Sequence, residues 1–225
     1  MDDEPFNKKK YNLGLAHGIP SILCFLSKTY AKGINKSLSK KLLDGSVNWL
    51  LKHKCNIANV SIYPEVVYEN SNNNFSRLAW CNGDLGVAIC LWQAGNSLGK
   101  KSLLEESLII LDSSISRTHK METLVMDNCL CHGATGIAHI YNNFYQITKL
   151  KKIKTAAINW YKVVLEMKTL TDDSGFYKTW SIDDNDIEVW TNNCGILNGV
   201  AGIGLSLISS ISKIKPSWDS CLLLR

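Results

Sequence analysis

Cys81, Cys131 and His132 are the residues of this 225-residue chain whose types and spacing point most directly to chemistry. Cys131 and His132 stand together in NCLCHGATGI (residues 128–137), and Cys81 stands fifty residues earlier in WCNGDLGVA (residues 80–88). Two thiolates and an imidazole suit Zn²⁺, and three protein ligands rather than four leave a coordination position for water or substrate. Such a set is expected to be catalytic rather than structural. Unpaired N–H groups at a helix start also carry positive partial charge, which favours thiolate over thiol at both cysteines. Cys129 competes with Cys131, because C-x-C can chelate. Taken one at a time, Cys24, Cys55, Cys90, Cys129, Cys194 and Cys221 read as small hydrophobes in the core.

Internal repetition supplies the means of bringing these residues together. Four segments align without gaps on one glycine: LAHGIPSIL (15–23), WCNGDLGVA (80–88), LCHGATGIA (130–138) and ILNGVAGIG (196–204). The aligned glycines are Gly18, Gly83, Gly133 and Gly199, each preceded by His or Asn and each followed three residues later by another small residue. If the repeats are structurally equivalent, Cys81, Cys131, His132 and His17 gather at the same level, at the entrance of successive helices. The register places Cys131, not Cys129, opposite Cys81. His17 suits general acid/base work and equally suits simple helix capping, so spacing leaves both open. His53 and His119 fall on or after amphipathic segments and are expected to be exposed. The glycines do not form a phosphate cradle, since G-x-x-G-x-G at residues 199–204 has the wrong order for a dinucleotide fingerprint and no strand precedes it. Close helix packing accounts for them better.

The elements that must position these motifs read as helices. Leu43, Val47 and Leu50 form one apolar stripe, Leu104, Leu108, Leu111 and Ile115 a second, and Ile153, Ala157, Trp160, Val164 and Met167 a third. The helices that follow the glycines, residues 87–92 and 200–211, are apolar or small almost all round and are expected to be buried on most sides. Two long connections remain: residues 54–79, with an NSNNN tract, and residues 169–193, with room for a short hairpin. The architecture implied is all-α, an inner layer of glycine-initiated helices backed by amphipathic ones.

Composition sets the outer bounds. With 45% hydrophobic and 20% charged residues the chain supports one sizeable domain over residues 1–225, with residues 1–11 disordered. The net charge of +5 is mild, and the lysine runs at residues 8–10 and 149–154 read as solvated faces, not a nucleic-acid site. The N-terminal MDDEPFNKKK has no apolar segment, and no apolar run reaches the ~18 residues of a membrane span. A cytoplasmic location is expected, with the eight cysteines free or metal-bound.

Taken together, NLGLAHGIP (12–20), SRLAWCNGDLGV (76–87), CHGATGI (131–137) and GILNGVAGIGL (195–205) resemble, in order, the motifs of the lanthionine synthetase C-like cyclases. The resemblance implies an α/α-toroid with one Zn²⁺ held by Cys81, Cys131 and His132. It also implies an activity in lanthipeptide (lantibiotic) biosynthesis. A cysteine thiol of a dehydrated precursor peptide adds to dehydroalanine or dehydrobutyrine and closes a thioether ring, with a dehydratase as a further partner. His17 matches the family's acid/base histidine, and Arg77, four residues before Cys81, could stabilise the enolate oxygen. Asn82 stands where the family usually has Tyr, and Ser21 where it usually has Gly. Family toroids have about seven helical pairs and four are counted here, so the chain is expected to be the C-terminal portion of a toroid whose N-terminal half is missing. A non-enzymatic alternative is a truncated, zinc-stabilised peptide-binding module. A glycan-processing toroid would need paired acids, and Asp84 is the only acid near a motif.

Overall fold

The computed structural model describes residues 10–55, 57, 60–68, 74–168 and 177–225. Residues 1–9, most of the NSNNN tract and residues 169–176 lie outside the described residues. Lys10 and Tyr11, read from sequence as part of a disordered N-terminus, belong to strand β1 (Lys10–Asn12). The chain divides into two compact units, residues 1–77 with 82–114, and residues 78–81 with 115–225.

The first unit holds the first repeat and residues 82–88 of the second. Its helices are α1 (Ile19–Ala31) and α2 (Lys36–Leu51), followed after strand β2 (Val66–Tyr68) by α3 (Asp84–Leu98) and α4 (Lys101–Ile115). Strand β1 pairs antiparallel with β2, Tyr11 opposite Val67. α1 packs on both α2 and α3, and α2 buries the expected stripe of Leu43, Val47 and Leu50. α4 departs from its expected stripe: Leu103, Ser107, Ile110, Leu111 and Ser114 are buried, whereas Leu104, Leu108 and Ile115 are only half-buried. The cause is a close approach to α3. The Ser107 hydroxyl donates to the Ala88 carbonyl at 2.7 Å, and Leu104 fills the space left by the missing side chain of Gly95. Serines that bond a neighbouring backbone look polar in a hydrophobic pattern yet mark the contact face.

The second unit holds the other two repeats. A four-residue helix α5 (Lys120–Thr123) precedes α6 (Ala134–Thr148) and α7 (Lys151–Glu166). The hairpin of β3 (Thr179–Ile182) and β4 (Glu188–Thr191) comes next, with Trp180 opposite Trp190. It is the hairpin for which the long second connection had room. Then come α8 (Val200–Ile211) and a 3₁₀ turn over Trp218–Leu222. α6 packs against α7 and α8, and α7 buries Ile153, Ala156, Ala157, Trp160 and Val164. α6 is buried nearly all round. α8 is not: only Gly202, Ile203, Ser206 and Ser209 are buried, while Ile208 and Ile211 are 61% and 85% exposed. The expectation that this apolar helix is buried on most sides does not hold.

Candidate metal centre

Each repeat begins with the same turn. Gly18, Gly83, Gly133 and Gly199 are the N-caps of α1, α3, α6 and α8. In all four the carbonyl oxygen of the residue six earlier (Asn12, Arg77, Asp127 or Asn193) lies where a side chain on the glycine would begin. Three of those earlier residues also accept, through the side chain, the N–H two residues on: Asn12 from Gly14 at 2.6 Å, Asp127 from Cys129 at 2.9 Å and Asn193 from Gly195 at 2.8 Å. These are Asx-turns, and they fix the path of the chain into the cap. The Asn or Asp six residues before the glycine is the sequence signal, and it lies just outside the aligned nonapeptides.

The turns present equivalent positions to one another. In the second unit the Cys81 and Trp80 N–H groups both donate to the Cys131 carbonyl at 3.2 Å, and the Cys131 N–H donates to the Leu197 carbonyl at 2.9 Å. Cys81, Cys131 and Leu197 are each the residue two before a capping glycine, so the gap-free alignment is realised as a hydrogen-bonded ladder. Its consequence is chemical. The Sγ atoms of Cys81 and Cys131 and a ring nitrogen of His132 lie within 4.8 Å of one another, all three residues half-buried. The donor set fits a borderline-soft divalent ion, with one side of the site accessible.

A second donor group, Asp127, Cys129 and His132, meets the same distance limit and shares the histidine. Asp127 and Cys129 are engaged in holding the turn. The Asp127 carboxylate accepts the Cys129 N–H and, from the hairpin, the Trp180 N–H at 3.0 Å, and its backbone carbonyl accepts the Ala134 N–H at 3.0 Å. The Cys129 sulfur accepts the His132 N–H at 3.3 Å, and burial pushes its thiol well above the usual range. Cys129 is therefore more than filler, since it ties the backbone of His132.

The remaining residues singled out from sequence have the following places. His17 is exposed in the turn before α1 and Arg77 is half-buried ahead of Gly83, both in the first unit. The Asn82 side chain donates to Glu65 at 2.7 Å, and the Ser21 hydroxyl donates to the Gly18 carbonyl at 2.7 Å. Asp84 is fully buried, and its carboxylate accepts the N–H groups of Ile62 and Tyr63 at 3.1 and 2.9 Å. That is a structural use, anchoring the long first connection. His53 is half-buried, its ring bonded to the Trp49 carbonyl at 2.8 Å, whereas His119 is exposed as expected.

A buried ionic network went unread in the sequence. His139 lies 3.1 Å from the Asp219 carboxylate, which also accepts from Asn143 at 3.0 Å and from the Arg225 guanidinium at 2.9 Å. Burial pushes the Asp219 carboxyl up, but the hydrogen bonds from His139, Arg225 and Asn143 outweigh it and hold the group below the usual carboxylate range.

This arrangement of glycine-capped helices and convergent soft donors has a family. The chain matches the lanthionine synthetase C-like protein family over residues 1–223 and belongs to it. Nisin biosynthesis protein NisC of Lactococcus lactis subsp. lactis is 26% identical over 152 residues, 63% of this chain and 35% of that protein. A solved structure of nisin cyclase superposes with a TM-score of 0.75 at 22% identity, over 96% of this chain and 50% of that one. The likeness shows the α/α-toroid fold class expected from the motifs. The chain spans no more than about half the length of these relatives. No helix among the described residues is long and apolar enough to cross a membrane.

Proposed function

We propose that this chain is the metal-binding portion of a lanthionine-forming cyclase. Its substrate is a dehydrated precursor peptide bearing a cysteine and a dehydroalanine or dehydrobutyrine, the product of a separate dehydratase. The observation that carries the reading is the convergence of Cys81, Cys131 and His132 in a member of this family. These three residues would hold Zn²⁺, which when bound supplies a Lewis acid that lowers the pKa of the peptide thiol. In the addition, sulfur bonds to the β-carbon of the dehydro residue and the thiol proton passes to its α-carbon. His17 takes that proton and returns it, and the Arg77 guanidinium stabilises the enolate oxygen between the two transfers. The eight cysteines, none of them assigned to a disulfide, fit a reducing, cytoplasmic compartment.

A second reading, a truncated zinc-stabilised peptide-binding module without catalysis, would use the same three residues to hold its metal. One measurement tests the site that both readings share, and a second separates them. Metal analysis of the purified protein is expected to give one equivalent of zinc, lost in Cys81→Ala, Cys131→Ala and His132→Ala and kept in Cys129→Ala and His17→Ala. Retention in the first three variants would remove the site. A dehydrated peptide is then incubated with the protein, with and without a separately expressed N-terminal half of a family member, and its free thiol is titrated. Thiol loss at unchanged mass supports the cyclase, slowed in His17→Ala. Zinc bound with no thiol loss under either condition supports the module.

A further inference from the structure

Among the described residues of the second unit two acidic side chains are buried, Asp127 at 1% and Asp219 at 0% exposure. A buried carboxylate needs hydrogen bonds and, as a rule, a cation as well. Asp219 has both, with the Arg225 guanidinium at 2.9 Å. Asp127 has only the first. Its two oxygens accept backbone N–H groups, one from Cys129 at 2.9 Å and the other from Trp180 at 3.0 Å. No lysine or arginine among the described residues forms an ion pair with it. The positive charge that this carboxylate lacks is one a metal ion would bring. An oxygen of Asp127 lies within 4.8 Å of a ring nitrogen of His132, and His132 belongs to the donor set with Cys81 and Cys131. An imidazole that binds a divalent cation becomes more positive, and a carboxylate beside it favours the bound state.

The other repeats show that the turn by itself does not require a charge. Asn12 and Asn193, at the same position relative to their glycines, make the same side-chain bond to the N–H two residues on with a neutral amide oxygen. Their turns lead to Ala16 and His17, and to Leu197 and Asn198, none of them in the donor set. The turn that leads to Cys131 and His132 carries Asp instead. An amide side chain offers one acceptor oxygen and a carboxylate offers two, and the second oxygen of Asp127 takes the Trp180 N–H of β3. The residue thereby ties the hairpin to the segment that carries two of the three donors. Its main-chain carbonyl also accepts the Ala134 N–H at the start of α6 at 3.0 Å, so the carboxylate is fixed on three sides beside His132.

We infer that Asp127 is a positioning residue of the metal centre, acting through His132: its hydrogen bonds hold the turn that presents Cys131 and His132, and its charge strengthens zinc binding at the imidazole. The inference rests on the metal-binding part of the function proposed above and is independent of whether the centre makes thioethers. Asp127 is not itself a ligand in this reading, because both its oxygens are occupied by backbone N–H groups.

Zinc dissociation constants from chelator competition on the purified full chain, with Asp127→Asn, Asp127→Glu and Asn12→Ala variants, test this, together with the absorption spectrum of each protein loaded with Co²⁺. Asp127→Asn can keep the turn bond that Asn12 and Asn193 make, but it loses the charge. It is expected to bind zinc about tenfold to a hundredfold more weakly, with altered thiolate-to-cobalt bands. Asp127→Glu keeps the charge and is expected to lie between the wild type and Asp127→Asn. Asn12→Ala removes the equivalent turn bond in the first repeat and is expected to lose stability in urea with zinc affinity unchanged. Asp127→Asn with wild-type zinc affinity and an unchanged cobalt spectrum would overturn the inference, whatever its stability, and leave Asp127 a role in the turn alone. Asp127→Glu binding more weakly than Asp127→Asn would also overturn it, since the turn and not the charge would then set affinity. If circular dichroism shows Asp127→Asn unfolded, the Glu variant decides: zinc retained supports the inference and zinc lost overturns it. A wild-type protein that binds no zinc would remove the metal centre itself, a failure distinct from the other outcomes because it appears before any substitution.

Discussion

At Gly133 and Gly199 a single methyl group decides whether the turn into the helix can form. A side chain there would collide with the backbone of Asp127 and Cys129, or with the Asn193 carbonyl. Neither obstacle is the flexible end of a side chain, so the turn must open. Gly133→Ala and Gly199→Ala are expected to lower stability by roughly 2–3 kcal/mol in urea denaturation, the range of overpacking in a tight site. Gly45 is the opposite case. It lies inside α2 with nothing within 4 Å of the added methyl, so Gly45→Ala is expected to raise stability by about 0.5–1 kcal/mol through reduced freedom of the unfolded chain. Equal effects at Gly45 and Gly199 would refute the distinction. Asp84 makes a third test, because its carboxylate is the acceptor for two buried N–H groups. Asp84→Ala is expected to cost roughly 2–4 kcal/mol by leaving both unpaired. The aligned glycines were plain in the sequence. The carboxylate and amide side chains that shape the turns were not, because their partners are backbone groups that leave no trace in the pattern.

At the scale of elements, the four glycine-capped helices and two of the three partner stripes could be read from periodicity, since long helices with one buried face follow it closely. α4 could not, because Ser107 and Ser114 are buried on its contact face and a hydrophobicity pattern scores them as surface. α8 misled for the reverse reason: an apolar sequence reports what a helix tends to bury, and here part of that face is exposed among the described residues. The helices also sort the thiols. Cys24 of α1 is buried and its thiol is pushed up to about 12, and Cys90 of α3 is fully buried and raised well above its usual value, in both cases chiefly by burial. Cys194, ahead of α8, and Cys221, in the 3₁₀ turn, are exposed. Alkylation at pH 8 followed by mass spectrometry is expected to label Cys194 and Cys221 first and to leave Cys24 and Cys90 unmodified until the protein unfolds. Bound zinc is expected to protect Cys81 and Cys131 in the same experiment. Rapid labelling of Cys24 in the native protein would contradict the burial of α1's inner face.

Over the whole molecule, the family and the candidate metal-binding residues were legible because they sit in short motifs. The network around Asp219 was not, because its hydrogen-bonded partners His139, Asn143, Asp219 and Arg225 lie up to 82 residues apart, as Asn143 and Arg225 do, and belong to no pattern. It bears on how stability depends on pH. The Asp219 carboxyl is held below its ordinary value in the folded protein, so in acid the unfolded chain takes up a proton first. The contribution is then complete above about pH 4, the ordinary carboxylate value, and is lost as pH falls through the lower folded value. Asp219→Asn removes the charge while keeping the shape, and it leaves Arg225 without its buried counter-ion. At pH 7 the variant is expected to be less stable by roughly 3–5 kcal/mol, the cost of breaking a buried pair from one side. As pH falls through that lower folded value the wild-type carboxyl itself becomes protonated, so the two denaturation free energies should converge. Urea titrations of both proteins at half-unit steps from pH 7 to pH 2.5 would read this directly. Parallel curves across that range would mean that the Asp219 charge contributes nothing to the fold, and that the network holds its residues together by shape alone.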